Sequence, residues 1–87
     1  MTTFNFEDGN GPVPAHQHSN GGGWVADTAT VADTAFIGPD ARVSGNARVS
    51  GNARVTGNAV VTCDAWVFGN AKVFGNAWVS DDDMVYN

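Results

Sequence analysis

The chain is poor in the residues that usually cross-link, charge or anchor a small protein. It has one cysteine, three prolines and four basic side chains among 87 residues. The lone Cys63 excludes an internal disulfide, and a single thiol fits a reducing compartment. The formal net charge of -5 argues against wholesale binding to long nucleic acid or to an anionic membrane, while leaving room for a local basic site. No apolar run is long enough to span a membrane. No basic region followed by an apolar run opens the chain, so no signal peptide is expected and the expected location is cytoplasmic. Histidine is confined to His16 and His18, and a catalytic zinc asks for three protein ligands. No Ser-His-Asp set, phosphate loop or placed carboxylate pair is present. No cofactor and no metal are therefore expected.

What the chain does have is a period. Aliphatic residues recur every six positions at Val25, Val31, Ile37, Val43, Val49, Val55, Val61, Val67, Val73, Val79 and Val85. A second column holds alanine at 29, 35, 41, 47, 53, 59, 65, 71 and 77. A fixed six-residue period is the sequence sign of a parallel β-helix. Within one unit, Ala47-Arg48-Val49-Ser50 reads as a short strand, with Ala47 and Val49 on one face and Arg48 and Ser50 on the other. Gly51-Asn52 then turns the chain, because both residue types accept left-handed backbone at low cost. Early corners are spelled Asp27-Thr28, Asp33-Thr34 and Pro39-Asp40, which is still turn chemistry. Cys63 takes a glycine slot at such a corner and is read as a small residue tolerated there.

Residues 1–23 have no period and read as an N-terminal arm that folds back over the first coil; residues 24–87 form the repeat domain. Phe4 and Phe6 alternate like a short strand with one apolar side. His16 and His18, two apart in extended chain, are expected to point the same way. Two imidazoles on one side, helped by Asp8 or Asp27, could hold a metal or ligand, but solvated or hydrogen-bonding histidines are the preferred reading. Gly21, Gly22 and Gly23 read as a flexible joint, with an anion-binding backbone loop as the alternative. Asp83 takes an alanine slot, so Asp81, Asp82 and Asp83 are expected to form a frayed or solvated polar cap.

The pattern over residues 24–87 resembles the hexapeptide-repeat superfamily of left-handed parallel β-helices, known from bacterial acyltransferases and γ-class carbonic anhydrases. The resemblance implies an all-β, left-handed prism in which three six-residue units make one triangular coil, giving three to four coils. It also implies that residues eighteen apart stack. Three outer faces follow from that stacking. The first carries Trp24, Arg42, Val60 and Trp78. The second carries Thr30, Arg48, Trp66 and Met84, flanked by Ser50, Phe68 and Tyr86. The third carries Phe36, Arg54 and Lys72, flanked by Thr56 and Phe74.

A short prism buries little surface for its size and calls for further burial. Trp66, Phe68, Met84 and Tyr86 make an apolar patch on the second face, the expected subunit contact, with Trp78 as a further interface residue. A homotrimer of parallel prisms is what the superfamily resemblance implies. Arg42, Arg48 and Arg54 ring one coil, one per face. They either pack at subunit contacts and pair with aspartate, or line a small anionic site at the subunit seam. Guanidinium for phosphate and aromatic faces for a base would suit a nucleotide.

The acyltransferases of that superfamily resemble longer chains with a catalytic histidine among the coils, and no histidine follows His18 here. The stretch from Val13 to Ala29, VPAHQHSNGGGWVADTA, resembles the opening of small phage and prophage hexapeptide-repeat proteins. The expected function is thus a non-catalytic, self-assembling binding module, phage-encoded, that sequesters a small anionic ligand such as a cyclic nucleotide immune signal. The alternative is a structural or protein-binding module such as a spike tip, a cap or a decoy of a host protein. An acyltransferase-like enzyme is the weakest reading.

Overall fold

The structure is a computed structural model that describes residues 2–6, 11–80 and 84–86. The six-residue period becomes a ladder of very short strands joined by corners. Two strands belong to the arm: β1 (Thr3–Asn5) and β2 (Pro12–Gln17). The repeat then runs β3 (Trp24–Ala26), β4 (Thr30–Val31), β5 (Phe36–Ile37), β6 (Arg42–Val43), β7 (Arg48–Val49), β8 (Arg54–Val55), β9 (Val60–Val61), β10 (Trp66–Val67), β11 (Lys72–Val73), β12 (Trp78–Val79) and β13 (Met84–Val85). Every third strand pairs in parallel, so three sheets form the walls of a parallel β-solenoid of about three turns. The fold is all-β.

The register confirms eighteen-residue stacking on each wall. On the first, Trp24 pairs with Arg42, Arg42 with Val60 and Val60 with Trp78. On the second, Thr30 meets Arg48, Arg48 meets Trp66 and Trp66 meets Met84. On the third, Phe36 meets Arg54 and Arg54 meets Lys72. Because side chains alternate along a strand, the residue after each of these points inward. Val25, Ile37, Val43, Val49, Val55, Val61 and Val67 are fully buried, and the alanines of the second column fill the space between them. The chain contains no leucine; valine beside alanine fills a core this narrow without overpacking.

Three inward positions depart from the pattern for a common reason. Val31 and Val85 are only partly buried, and Ala77 is exposed. Strands β4 and β13 are the two edges of the second wall's sheet, and Ala77 lies in the last described coil, so each lacks a neighbour on one side.

Corners repeat as faithfully as strands. Gly45, Gly51, Gly57, Gly69 and Gly75 all have φ near +66°, from 65° to 68°. Corners also stack closely: a Cβ at Gly51 would lie 2.9 Å from the carbonyl oxygen of Gly69. Cys63 occupies the equivalent corner with φ 60°, the one described non-glycine residue in that region. Where the early corners lack glycine, the hydroxyls of Thr28 and Thr34 donate to the carbonyls of Gly45 and Gly51 one coil on.

The arm covers the start of the solenoid by two different means. β1 and β2 form an antiparallel hairpin, and β2 pairs antiparallel with β3, so the arm extends the first wall. The segment after β2 then runs along β5, with Ile37 N–H donating to Asn20 and Gly23 N–H donating to Ile37. Gly21 and Gly22 have φ of +110° and +82°. A side chain at Gly21 would strike the Ile37 carbonyl, and one at Gly23 would strike the Ile37 side chain. Gly21 and Gly23 are therefore packed against Ile37, with Gly22 open between them, which corrects the expectation of a flexible joint at those two positions. The expectations for Asp8 and for Asp81, Asp82 and Asp83 fall outside the described residues. Among the described residues no helix is long and apolar enough to cross a membrane.

Candidate functional site

The second wall carries Trp66, Met84 and Tyr86, three of the five large apolar side chains exposed among the described residues. Trp66 and Met84 are register partners on β10 and β13. Phe68 and Tyr86 each lie two residues beyond them and stack with ring centroids 5.2 Å apart at 16°. Trp66 contacts Phe68 at 5.1 Å, tilted by 49°. Met84 and Tyr86 are 60% and 68% exposed, Trp66 is 39% exposed and Phe68 is half-buried between them. Arg48 sits one coil earlier in direct register with Trp66 and is exposed. The wall thus carries a cation in register with an aromatic-thioether patch, the arrangement expected from the six-residue spacing and the three-unit coil that the superfamily resemblance implies.

The other two arginines of the ring do not converge on that cluster. Each belongs to a different sheet, so within one chain only Arg48 shares a wall with Trp66. Arg42 is half-buried on the first wall, with its guanidinium carbon 5.3 Å from the centre of the Phe4 ring. Phe4 in turn stacks on Trp24 at 4.8 Å and 18° and meets Phe6 edge-on at 4.8 Å. The arm has converted this part of the first wall into a small second core of Phe6, Ala15 and Ala26, with Phe4, Val13 and Trp24 packed against it. Arg42 is built into that packing. Arg54 lies on the third wall, exposed, with Phe36 on one side of it in the ladder and Lys72 on the other. Trp78 is 67% exposed on the first wall, away from the Trp66 cluster.

The histidines part company. His16 is exposed on β2 and its Nδ1 lies 2.8 Å from Asp27 Oδ1, with both side chains 53% exposed. His18 lies beyond the end of β2, is buried, and its Nε2 donates to the Ala35 carbonyl at 2.9 Å. A carbonyl only accepts, so Nε2 carries the proton. The expectation that both rings face one way is corrected: the strand ends at Gln17, and the turn aims His18 into the solenoid instead. Among the described residues no group of three or more His, Cys, Asp or Glu side chains is placed to hold a metal ion.

Several hollows are bounded by described residues. One of ≈ 310 Å³ lies between the arm and the first wall, lined by Phe4, Trp24, Asp40, Arg42 and Asn58 among others. Another of ≈ 280 Å³ lies at the corner beside Val13, Ala26 and Ser44. A third of ≈ 350 Å³ lies where the arm meets the third wall, lined by Asn20, Thr34, Phe36, Asn52 and Arg54. None of these three includes Trp66 or Phe68. Sequence reasoning placed Phe36 and Arg54 in one column but missed the hollow, because its border at Asn20 comes from the aperiodic arm.

Residues 41–51 and 47–62 match a family model described as the YdcK beta solenoid repeat. No curated protein and no solved structure matches the chain. The matched stretch takes in the coil that carries Arg42, Arg48 and Arg54 and covers less than half of the sequence. Over that coil the chain is similar to a β-solenoid repeat, in agreement with the sheet order.

Proposed function

We propose that the protein is a non-catalytic binding module that self-associates through its second wall and holds a small anionic ligand at the seam. The observation that carries this reading is the apolar patch of exposed Trp66, Met84 and Tyr86 around half-buried Phe68, with Arg48 in register beside it. A contiguous apolar patch on a small protein marks an interface. A ligand beside Trp66 needs a second enclosing surface, and a neighbouring copy supplies it. Three such walls meeting around an axis make a parallel homotrimer, the assembly that the superfamily resemblance implies.

The ligand class follows from the side chains. The guanidinium of Arg48 suits a phosphate, and the Trp66 and Phe68 rings offer faces on which a base can stack. The likeness of residues 13–29 to phage and prophage proteins makes the specific form of the proposal sequestration of a cyclic nucleotide immune signal in the host cytoplasm. Calorimetry with a panel of cyclic di- and trinucleotides tests it. Saturable binding that Arg48→Gln abolishes supports the seam site, and silence across the panel removes the nucleotide from the proposal. The rival reading is a structural or protein-binding module that uses the same apolar wall. It gives an assembly that Trp66→Ala disrupts and Arg48→Gln leaves intact, with no nucleotide bound.

A further inference from the structure

The arm gives a backbone partner to the first repeat strand on two walls and leaves the strand between them bare. On the first wall β2 pairs with β3, with His16 opposite Val25. On the third, Ile37 N–H donates to the Asn20 carbonyl, and the Ile37 carbonyl accepts from Gly23. On the second wall β4 ends its sheet. The inward residue of each repeat strand turns its backbone groups toward the preceding coil: the Val49 carbonyl accepts from Ala32, and the Val85 carbonyl from Phe68. Val31 is the inward residue of β4, and among the described residues its N–H and C=O have no partner.

Outward residues turn theirs the other way, toward the following coil, as the Thr30 N–H does in donating to Ala47. At the far end of the same sheet, β13 thus points the Met84 C=O and the Tyr86 N–H away from β10, again with no described partner. The two edges are complementary halves of one parallel ladder. Met84 of one copy on Thr30 of the next, and Val85 on Val31, continues the register in which Thr30 meets Arg48 and Val31 meets Val49. It also buries Val31 and Val85 against each other, the two valines of the repeat that are only partly buried.

We infer that the two ends of the second wall form a binding surface for a second copy, head to tail, and that the β1–β2 hairpin keeps them apart. In this register β12 of one copy falls beside β3 of the next, in the place that β2 holds, with β1 beyond it. The third wall is no obstacle. Lys72 precedes Met84 by twelve residues and Phe36 follows Thr30 by six, so β11 falls two strand spacings from β5, and the arm segment that bonds Ile37 lies in the gap. An open sheet edge is a template for another chain, and covering it is how a fold blocks that pairing. Once the hairpin is released, the contact is heterologous and does not close, so growth gives a filament. It uses backbone groups and core valines, and is therefore independent of the side-on contact through Trp66.

The test uses the full chain. Ala15→Asp and Phe6→Asp each put a carboxylate into the small core under the hairpin and leave the repeat core untouched. Both variants are expected to keep the sheet signal in circular dichroism, with tryptophan emission shifted to the red as Trp24 loses the Phe4 ring. Both are expected to form unbranched filaments in electron micrographs, and the parent none. Each copy adds four strands to the second wall, so the filament should repeat at about 19 Å, with strands ~4.8 Å apart. Tyr86→Pro removes an N–H with no described partner and is expected to abolish filaments in the Ala15→Asp background. Trp66→Ala is expected to leave them in place, so failure here and failure of the side-on assembly are separately visible. A folded variant with a released hairpin and no filaments at millimolar concentration would overturn the inference. So would filaments in the parent, or filaments that survive Tyr86→Pro. Loss of the sheet signal in both variants would overturn it as well, because a hairpin that the repeat cannot fold without is no detachable stop.

Discussion

Trp24 and Trp78 occupy the same column of the same wall, three coils apart, yet they live in different surroundings. Trp24 is half-buried beneath the Phe4 ring, while Trp78 is 67% exposed. The repeat decides which column a residue joins and which way it points. Whether that residue ends up as core or as surface is decided by what lies over the wall. At the first coil the aperiodic arm supplies that cover, through the β1–β2 hairpin on the first wall and the glycine run on the third. Over the last described coils no described segment lies in that way, and Trp66, Phe74, Trp78, Met84 and Tyr86 are all exposed there. The first coil is covered from within the chain; the later described coils expose the side chains on which the proposed assembly rests.

Breaking the covered end should have the largest effect. Gly23→Val drives a branched side chain into Ile37, and a loss of about 3 kcal/mol is expected by urea denaturation. Gly22→Ala meets nothing within 4 Å and should cost only about 1–2 kcal/mol, from its positive φ alone. Equal losses would mean that packing over Ile37 is not what holds the glycine run. Next in size, Phe4→Ala should cost about 2–3 kcal/mol and shift Trp24 emission to the red. Trp24→Phe serves as the background control, in which Phe4→Ala should leave the emission of Trp66 and Trp78 in place.

A smaller effect of opposite sign is expected inside the repeat. Cys63→Gly restores the corner residue found at equivalent positions and should raise stability by about 1 kcal/mol, seen as a higher denaturation midpoint. Smallest of all is His16→Ala. The His16–Asp27 pair is half-exposed on both sides, so its loss should change stability by less than about 1 kcal/mol. A larger loss would show that this contact, rather than the hairpin, anchors the arm.

The solenoid was readable in the chain because its rule is local: a column of valines and a column of alanines at fixed spacing determine strands, corners and walls. Arg48, Trp66 and Met84 could be placed on one line from that spacing together with the three-unit coil that the superfamily resemblance implies. The arm followed no period, and its contacts were hidden for that reason. His18 bonds a backbone carbonyl seventeen residues away, which no side-chain pattern advertises. The glycine run looked like a joint because the sequence shows conformational freedom but not the Ile37 backbone lying against it. Asn20 borders the third-wall hollow for the same kind of reason. Phe4 buries Trp24 through a hairpin whose register depends on tertiary pairing.

The most direct test of a self-associating second wall is native mass spectrometry of the freshly purified protein beside its Phe68→Ser and Trp66→Ala variants. Whole multiples of the 9.0 kDa chain are expected for the parent, with three copies the leading species, and loss of those multiples in both variants. A parent that stays monomeric across the accessible concentration range, or variants that assemble as the parent does, would contradict it.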